Sequence, residues 1–166
     1  MHEWTVAGGL IEGPQGVLLV RNRRRNGRFD WSTPGGVIDA TDDTIVEGLT
    51  REVQEETGLR VSAWEGPLYE VHAVASDLGW SMHCEVYRAI VYEGELRVDD
   101  PDGIVVEAAF FPIAEAAALL NDCMQWVREP LSEWLVDPWG PAQRRGYRYD
   151  VRGATPGALE VLRVSV

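Results

Sequence analysis

The stretch Gly36-Val37-Ile38-Asp39-Ala40-Thr41-Asp42-Asp43-Thr44-Ile45-Val46-Glu47-Gly48-Leu49-Thr50-Arg51-Glu52-Val53-Gln54-Glu55-Glu56-Thr57-Gly58-Leu59 decides how the rest of the chain is read. Between Thr44 and Thr57 the apolar residues Ile45, Val46, Leu49 and Val53 recur at helical spacing. Asp42 or Asp43 is available as N-cap, and Gly58 supplies a stop. A helix is predicted here. At about 100° per residue, Glu55, Glu52 and Glu56 fall within roughly one 100° sector, with the apolar residues beside it. Three carboxylates therefore share one face, at the margin of the stripe that packs on a sheet.

Like charges at i,i+3 and i,i+4 destabilise a helix by a few tenths of a kcal/mol per pair, so the cluster carries a cost unless something binds there. A hard divalent cation removes it. Magnesium takes oxygen ligands, keeps several waters, and is held by one or two carboxylates plus substrate phosphates, which suits a cluster lacking His and Cys. The plainer alternative is a solvated helix face, the usual fate of a charge run. Gly48 projects into the acidic sector one turn before Glu52. Because Gly costs about 1 kcal/mol relative to Ala inside a helix, access for an ion or phosphate is the expected compensation. Arg51 sits at the edge of the sector, placed to pair with Glu55.

With Pro34-Gly35-Gly36 upstream and Gly58 downstream, the stretch is a loop-helix-loop unit, and Gly36–Leu59 resembles the Nudix box. Its second half matches at every defined position: Arg51, Glu52, Val53, Glu55, Glu56, Gly58 and Leu59. The first half departs. Asp43 stands where the family has Glu, and six residues rather than five separate it from Gly36. Asp42 restores the glycine spacing but breaks the helix spacing. The expectation is a loop one residue longer, with Asp43 capping the helix.

The resemblance implies an α+β fold, a Nudix-like α/β/α sandwich with a mixed sheet. It also implies a Mg²⁺-dependent (or Mn²⁺-dependent) hydrolase cleaving a diphosphate linkage in a nucleoside diphosphate derivative by water attack at phosphorus. A nucleoside triphosphate or nucleotide sugar is the expected substrate. Carried over by position, Glu52 and Glu56 are the principal metal ligands. Glu55 is a third ligand or a base acting through water, and Arg51 is the partner of the carboxylates. A later acid serves as base in some members; Glu107 is the first candidate here, with Asp102 behind it. Arg21 and Arg23, at the end of an early strand, are candidates for phosphate contact, since Arg binds phosphate through paired hydrogen bonds. Gly35 and Gly36 would let backbone approach the substrate. A binding module that recognises a nucleotide without cleaving it is the alternative from another class. An isoprenoid diphosphate isomerase is weaker, for want of a distinct Cys and Glu arrangement.

Outside the box, Thr5–Ile11 and Gly16–Arg21 are strand-like runs around the turn Glu12-Gly13-Pro14-Gln15, and read as a hairpin. Arg21 to Arg28 reads as a loop. Val61–Ala63, Tyr69–Ala75, Met82–Tyr92 and Val105–Phe111 read as strands, and Ile113–Asn121 as a helix. Met124–Val136 reads as helical on either side of Pro130. Tyr147–Arg152 and Leu159–Val166 read as a closing hairpin. The order suggests a single domain over 1–166, with 124–166 as an extension packed on it. Trp31 is expected to support the Pro34 turn, and Trp4 or Trp80 to stack a base. His72 and His83 fall on strands without a partner arrangement, as packed or surface residues.

Composition bounds the remainder. The net charge is −12, and all 15 basic residues are Arg. That balance disfavours long nucleic acid and anionic membranes, both of which need a basic face. No apolar run approaches the roughly 20 residues of a membrane span. Cys84 and Cys123 have no metal or disulfide spacing, and the N-terminus lacks a signal-peptide pattern, so a cytoplasmic location is expected. A homodimer is left open. Asp39, Asp42, Asp43, Glu47, Glu52, Glu55 and Glu56 face only Arg51 between positions 39 and 56, so the acidity is concentrated in the box. It excludes anionic partners that arrive without metal, not a small phosphorylated nucleotide that arrives with one.

Overall fold

A computed structural model of the chain describes residues 1–165; Val166, the last residue of the expected tail strand, lies outside them. In chain order the elements are β1 (His2–Leu10), β2 (Glu12–Gly13), β3 (Gly16–Arg23), β4 (Phe29–Ser32), β5 (Gly35–Val37), α1 (Ile45–Thr57), β6 (Arg60–Ala75), β7 (Trp80–Glu93), β8 (Val105–Phe111), α2 (Ile113–Leu119), α3 (Gln125–Val136), β9 (Arg145–Arg152) and β10 (Glu160–Val164). Six strands form a mixed sheet in the order β10-β9-β6-β7-β1-β5, with β1 parallel to β7 and β9 parallel to β6. A second, antiparallel sheet is built on β3, which pairs with β2, β4 and β8.

Adjacent residues of the strands enter different cores, which shows why both sheet faces must be covered. Leu10, Leu19 and Val86 join the larger core with Leu131, Trp134 and Leu135 of α3, whereas Ile11, Leu18 and Tyr87 join the smaller core with Leu49 and Val53 of α1. Helices therefore lie on both sides, giving the α/β/α sandwich with a mixed sheet.

The expected hairpin of the first two runs does not form. The Glu12–Gln15 turn closes only the short pairing Glu12↔Val17 and Gly13↔Gly16, after which β1 and β3 diverge into different sheets. Turn chemistry fixes its nearest pairs, but runs apolar on both faces need cover from two layers, and that burial chooses their partners. The Arg21–Arg28 stretch is only partly a loop, because β3 extends through Arg23 and β4 starts at Phe29. Across Thr33-Pro34 the chain leaves β4 in one sheet and enters β5 in the other, where Gly35 pairs with Gly8. At Gly35, with φ of 152°, an added Cβ would lie 2.0 Å from the Ala7 carbonyl oxygen, so this crossover requires glycine.

Val61–Ala63 and Tyr69–Ala75 are parts of one strand, β6, with Glu65-Gly66-Pro67 absorbed as a bulge against β7. One helix, α3, runs through Pro130, whose missing N–H is outweighed by burial of Leu131, Trp134 and Leu135. Beyond it, β9 extends the six-stranded sheet beside β6, and β10 pairs with β9.

Candidate active site

Helix α1 presents the box carboxylates. Its N-cap is Thr44, whose hydroxyl accepts from the Glu47 N–H at 3.1 Å, and not Asp42 or Asp43. Thr44 wins because the first helical residue is Ile45, while Asp42 is engaged elsewhere. The Arg51 guanidinium donates to both Asp42 oxygens, at 3.1 and 3.0 Å, and this contact holds the Asp42 carboxyl below its usual range. Asp42 also accepts from the Asp39 N–H at 3.1 Å, tying the loop before α1 to the middle of the helix. Between the two acids left open for the box's first position, Asp42 is therefore the one that meets Arg51. The same guanidinium reaches Glu52 at 3.2 Å and Glu55 at 3.4 Å.

Gly48 serves this loop. A Cβ there would lie 2.8 Å from both the Asp42 Oδ2 and the Ile38 side chain, so the glycine admits the loop rather than an ion or phosphate. At Gly36 the neighbour is different: a Cβ would stand 3.1 Å from the Glu52 carboxylate. Glu56 is buried and accepts the Gly35 N–H at 3.0 Å. Burial pushes its carboxyl up to about 8 against the opposing pull of that hydrogen bond, with Glu52 and Asp100 adding to the rise. Burial also raises the Glu52 carboxyl, against the pull of Arg51.

These groups form one wall of a cavity of about 630 Å³. Gly35, Gly36, Glu52, Glu55, Glu56 and Arg51 lie along it, Asp100 and Asp102 border it from the loop before β8, and Tyr69, Val71, Met82, Trp126, Val127 and Leu131 form an apolar side. The lining combines carboxylates with apolar and aromatic side chains, a mixture that suits a phosphorylated ligand with an aromatic group.

Two expected groups lie elsewhere. Arg21 sits opposite Glu107 across β3 and β8, 3.9 Å from it, and stacks on Phe29 at 4.2 Å. Neither Arg21, Arg23 nor Glu107 borders the cavity, whereas Asn22 and Arg24 do. The sequence signal was strand alternation: either Asn22 or both arginines had to turn inward, and burying two guanidiniums costs far more. Likewise Asp100 and Asp102, not Glu107, are the later acids that border the cavity: Asp100, which accepts the backbone N–H groups of Asp102, Ile104 and Val105, acts on Glu56, and Asp102 acts on Glu52. Trp4 is exposed beside His2, and Trp80 packs edge-on against Trp126 at 5.9 Å, so neither borders the cavity and Trp126 takes that place. Trp31 meets Phe111 edge-on at 5.0 Å beside the Pro34 turn.

A second cluster was not foreseen. Glu70, His83 and Glu85 bring ligand-type atoms within 4.8 Å of one another on the six-stranded sheet. Arg144 is paired with Glu70, and His72 stacks against His83 at 5.2 Å. The guanidinium already meets the charge on Glu70, which leaves the cluster an ion-pair group.

The Nudix domain family model matches residues 2–135. A MutT-like protein of Streptomyces ambofaciens is 43% identical over 65 residues, spanning 39% of this chain and only about 40% of that relative. An ADP-ribose pyrophosphatase of Methanocaldococcus jannaschii is 26% identical over 133 residues, covering 76% of each chain. Among solved structures, a Mutator MutT protein from Bacillus halodurans superposes with a TM-score of 0.64 at 20% identity, covering 95% of this chain and 97% of that one, a likeness of fold. With the family match spanning the box, strands β1 to β8 and helices α1 and α2, the chain belongs to the Nudix hydrolase family.

Proposed function

We propose that the protein hydrolyses a diphosphate linkage in a nucleoside triphosphate or nucleotide sugar, with Mg²⁺ or Mn²⁺ held by Glu52, Glu55 and Glu56. The observation that carries this reading is the Glu56 carboxylate, buried on the cavity wall beside Glu52 and Glu55 with one hydrogen bond, from Gly35. A buried carboxylate among others is costly unless a cation meets it. The donor set fits a hard divalent ion, being oxygen throughout and bordering a cavity wide enough for phosphates. Such an ion, when bound, neutralises phosphate charge and lowers the pKa of its water.

The chain's own residues divide the remaining work. Arg51, anchored by Asp42, orients Glu52 and Glu55. Gly36 keeps space open beside Glu52, and the apolar wall with Trp126 seats the nucleoside and excludes water. Asp102 is the later acid placed to accept a proton, in preference to Glu107. The free thiols of Cys84 and Cys123 accord with a cytoplasmic setting.

The test is a cleavage screen over nucleoside triphosphates, nucleotide sugars and dinucleotides with Mg²⁺, read by chromatography of the nucleotide products, with ADP-ribose added because of the archaeal relative. Wild type is compared with Glu56→Gln. Cleavage of at least one compound, reduced at least about 100-fold in the variant, supports the proposal. Equal turnover by both proteins removes Glu56 from the metal site.

A further inference from the structure

Asn22 is the polar residue of the cavity whose orientation the surrounding hydrogen bonds determine. It is only 6% exposed and borders the cavity between the outward-facing Arg21 and Arg23. Its amide nitrogen donates to Asp30 Oδ1 at 3.1 Å and to Ser32 Oγ at 2.9 Å. Neither contact is reversible. Asp30 is a carboxylate that can only accept, and Arg24 fixes it with donors at 2.8 and 2.9 Å. The Ser32 hydroxyl hydrogen goes to the Thr33 carbonyl at 3.1 Å, leaving a lone pair for the amide.

The Asn22 amide is thus locked with both N–H groups used and its carbonyl oxygen left over. Among the described residues nothing donates to that oxygen, and no fully buried side-chain nitrogen or oxygen lacks a partner. The oxygen is therefore accessible, on a residue that borders the cavity. With the Asn22 and Ser32 hydrogens all committed inward, these two side chains offer acceptors and no donors, beside the Arg24 guanidinium and the Thr33 hydroxyl on the same lining.

We propose that Asn22 is a specificity-determining residue that reads a nucleobase bearing an exocyclic amino group, through its free carbonyl oxygen. The inference rests on the reading of the cavity as a nucleotide site and deepens it. An amino group gives an N–H to the acceptor, whereas a keto oxygen at the same position sets acceptor against acceptor. That leaves two polar atoms desolvated without a partner, a costlier outcome than losing a hydrogen bond to water. The apolar lining of the cavity, with Tyr69, Val71, Trp126 and Leu131, holds the ring faces, and the carboxylates of α1 on the same cavity are left to the phosphates through their metal.

The experiment uses pairs in which the exocyclic amino group is replaced by a keto oxygen, a change that also places a hydrogen on the adjacent ring nitrogen. Values of kcat/KM are measured with Mg²⁺ for ATP against ITP and for CTP against UTP, and AMP and IMP binding is measured by calorimetry in EDTA. Wild type should favour the amino member of each pair by about tenfold or more. In Asn22→Leu the ratio should fall to near one. In Asp30→Asn, checked for folding by its melting curve, the amide is freed to turn over and the ratio should fall or invert. Equal use of both members by wild type, or a ratio kept in both variants, overturns the assignment. Turnover without discrimination defeats Asn22 and leaves the hydrolase standing; tighter AMP than IMP binding with no turnover defeats the hydrolase and leaves Asn22. Neither binding nor cleavage defeats both.

Discussion

The Glu56 carboxylate takes the Gly35 N–H at 3.0 Å, joining the last turn of the box helix to the glycine that carries the chain between its two sheets. Gly35 is required there by its contact with the Ala7 carbonyl, so the position of its N–H is set by the strands and not by the loop. The fold thereby fixes a buried carboxylate at the cavity wall. The local price is an acid whose charged form is poorly solvated.

That cost gives the metal-free protein a pH dependence. Folding raises the Glu56 carboxyl from 4.5 to about 8, so between those values the folded protein holds a proton that the unfolded chain has released. This contribution to stability is full below about 4.5, falls as pH rises, and is lost above about 8. The slope within the window is at most about 1.4 kcal/mol per pH unit. Denaturant melts in EDTA at pH 5, 6, 7 and 8 should show wild type losing stability relative to Glu56→Gln as pH increases. Parallel curves would mean that Glu56 is ionised without penalty.

Asp42 and Asp43 are neighbours with different work. Asp42 meets Arg51 and the Asp39 N–H, whereas Asp43 neither caps α1 nor meets Arg51. Asp42→Asn should weaken the anchoring of Arg51, and so of Glu52 and Glu55, costing roughly tenfold in kcat/KM and in Mg²⁺ affinity. Asp43→Asn should stay within about twofold of wild type. Metal titrations of the two variants decide this, and a larger loss from Asp43→Asn would reverse the assignment.

The box was legible because one helix carries it: spacing alone put Glu52, Glu55 and Glu56 on one face and Gly58 at its end. What resisted reading depended on contacts distant in sequence. Thr44, and neither aspartate, caps the helix, and Asp42 is held instead by Arg51, nine residues beyond it. Gly48 resembled an opening for substrate until Ile38 and Asp42 were placed against it. Arg21 and Arg23 attracted attention through charge, yet the inward position belongs to Asn22, whose Asp30 and Ser32 partners lie across a strand pair. The first two strands looked like a hairpin because their turn was visible and their partners β7 and β8 were not.

Gly48→Ala separates packing from access. The added methyl would stand 2.8 Å from Asp42 Oδ2 and from Ile38, pushing the loop away from Arg51. Ala raises intrinsic helix propensity by about 1 kcal/mol, so an open position would be stabilised. Here the gain should be cancelled, with net stability unchanged or reduced and activity several-fold lower. A more stable and fully active variant would show that the loop yields freely. Thermal melts and kcat/KM on the same preparation make the comparison.

The later acid is tested by a pair of substitutions. Asp102 borders the cavity and its field reaches Glu52, while Glu107 stands across from Arg21, 3.9 Å away and half-exposed. A general base must come within hydrogen-bond reach of the attacking water, directly or through one further water, and contributes roughly 100-fold or more when it does. Asp102→Asn should therefore lower kcat by about that factor with Mg²⁺ affinity nearly kept. Glu107→Gln should leave kcat within about twofold, since an exposed pair with Arg21 contributes little. If instead Glu107→Gln lowers kcat about 100-fold and Asp102→Asn does not, Glu107 is the later acid and Asp102 is removed from the site.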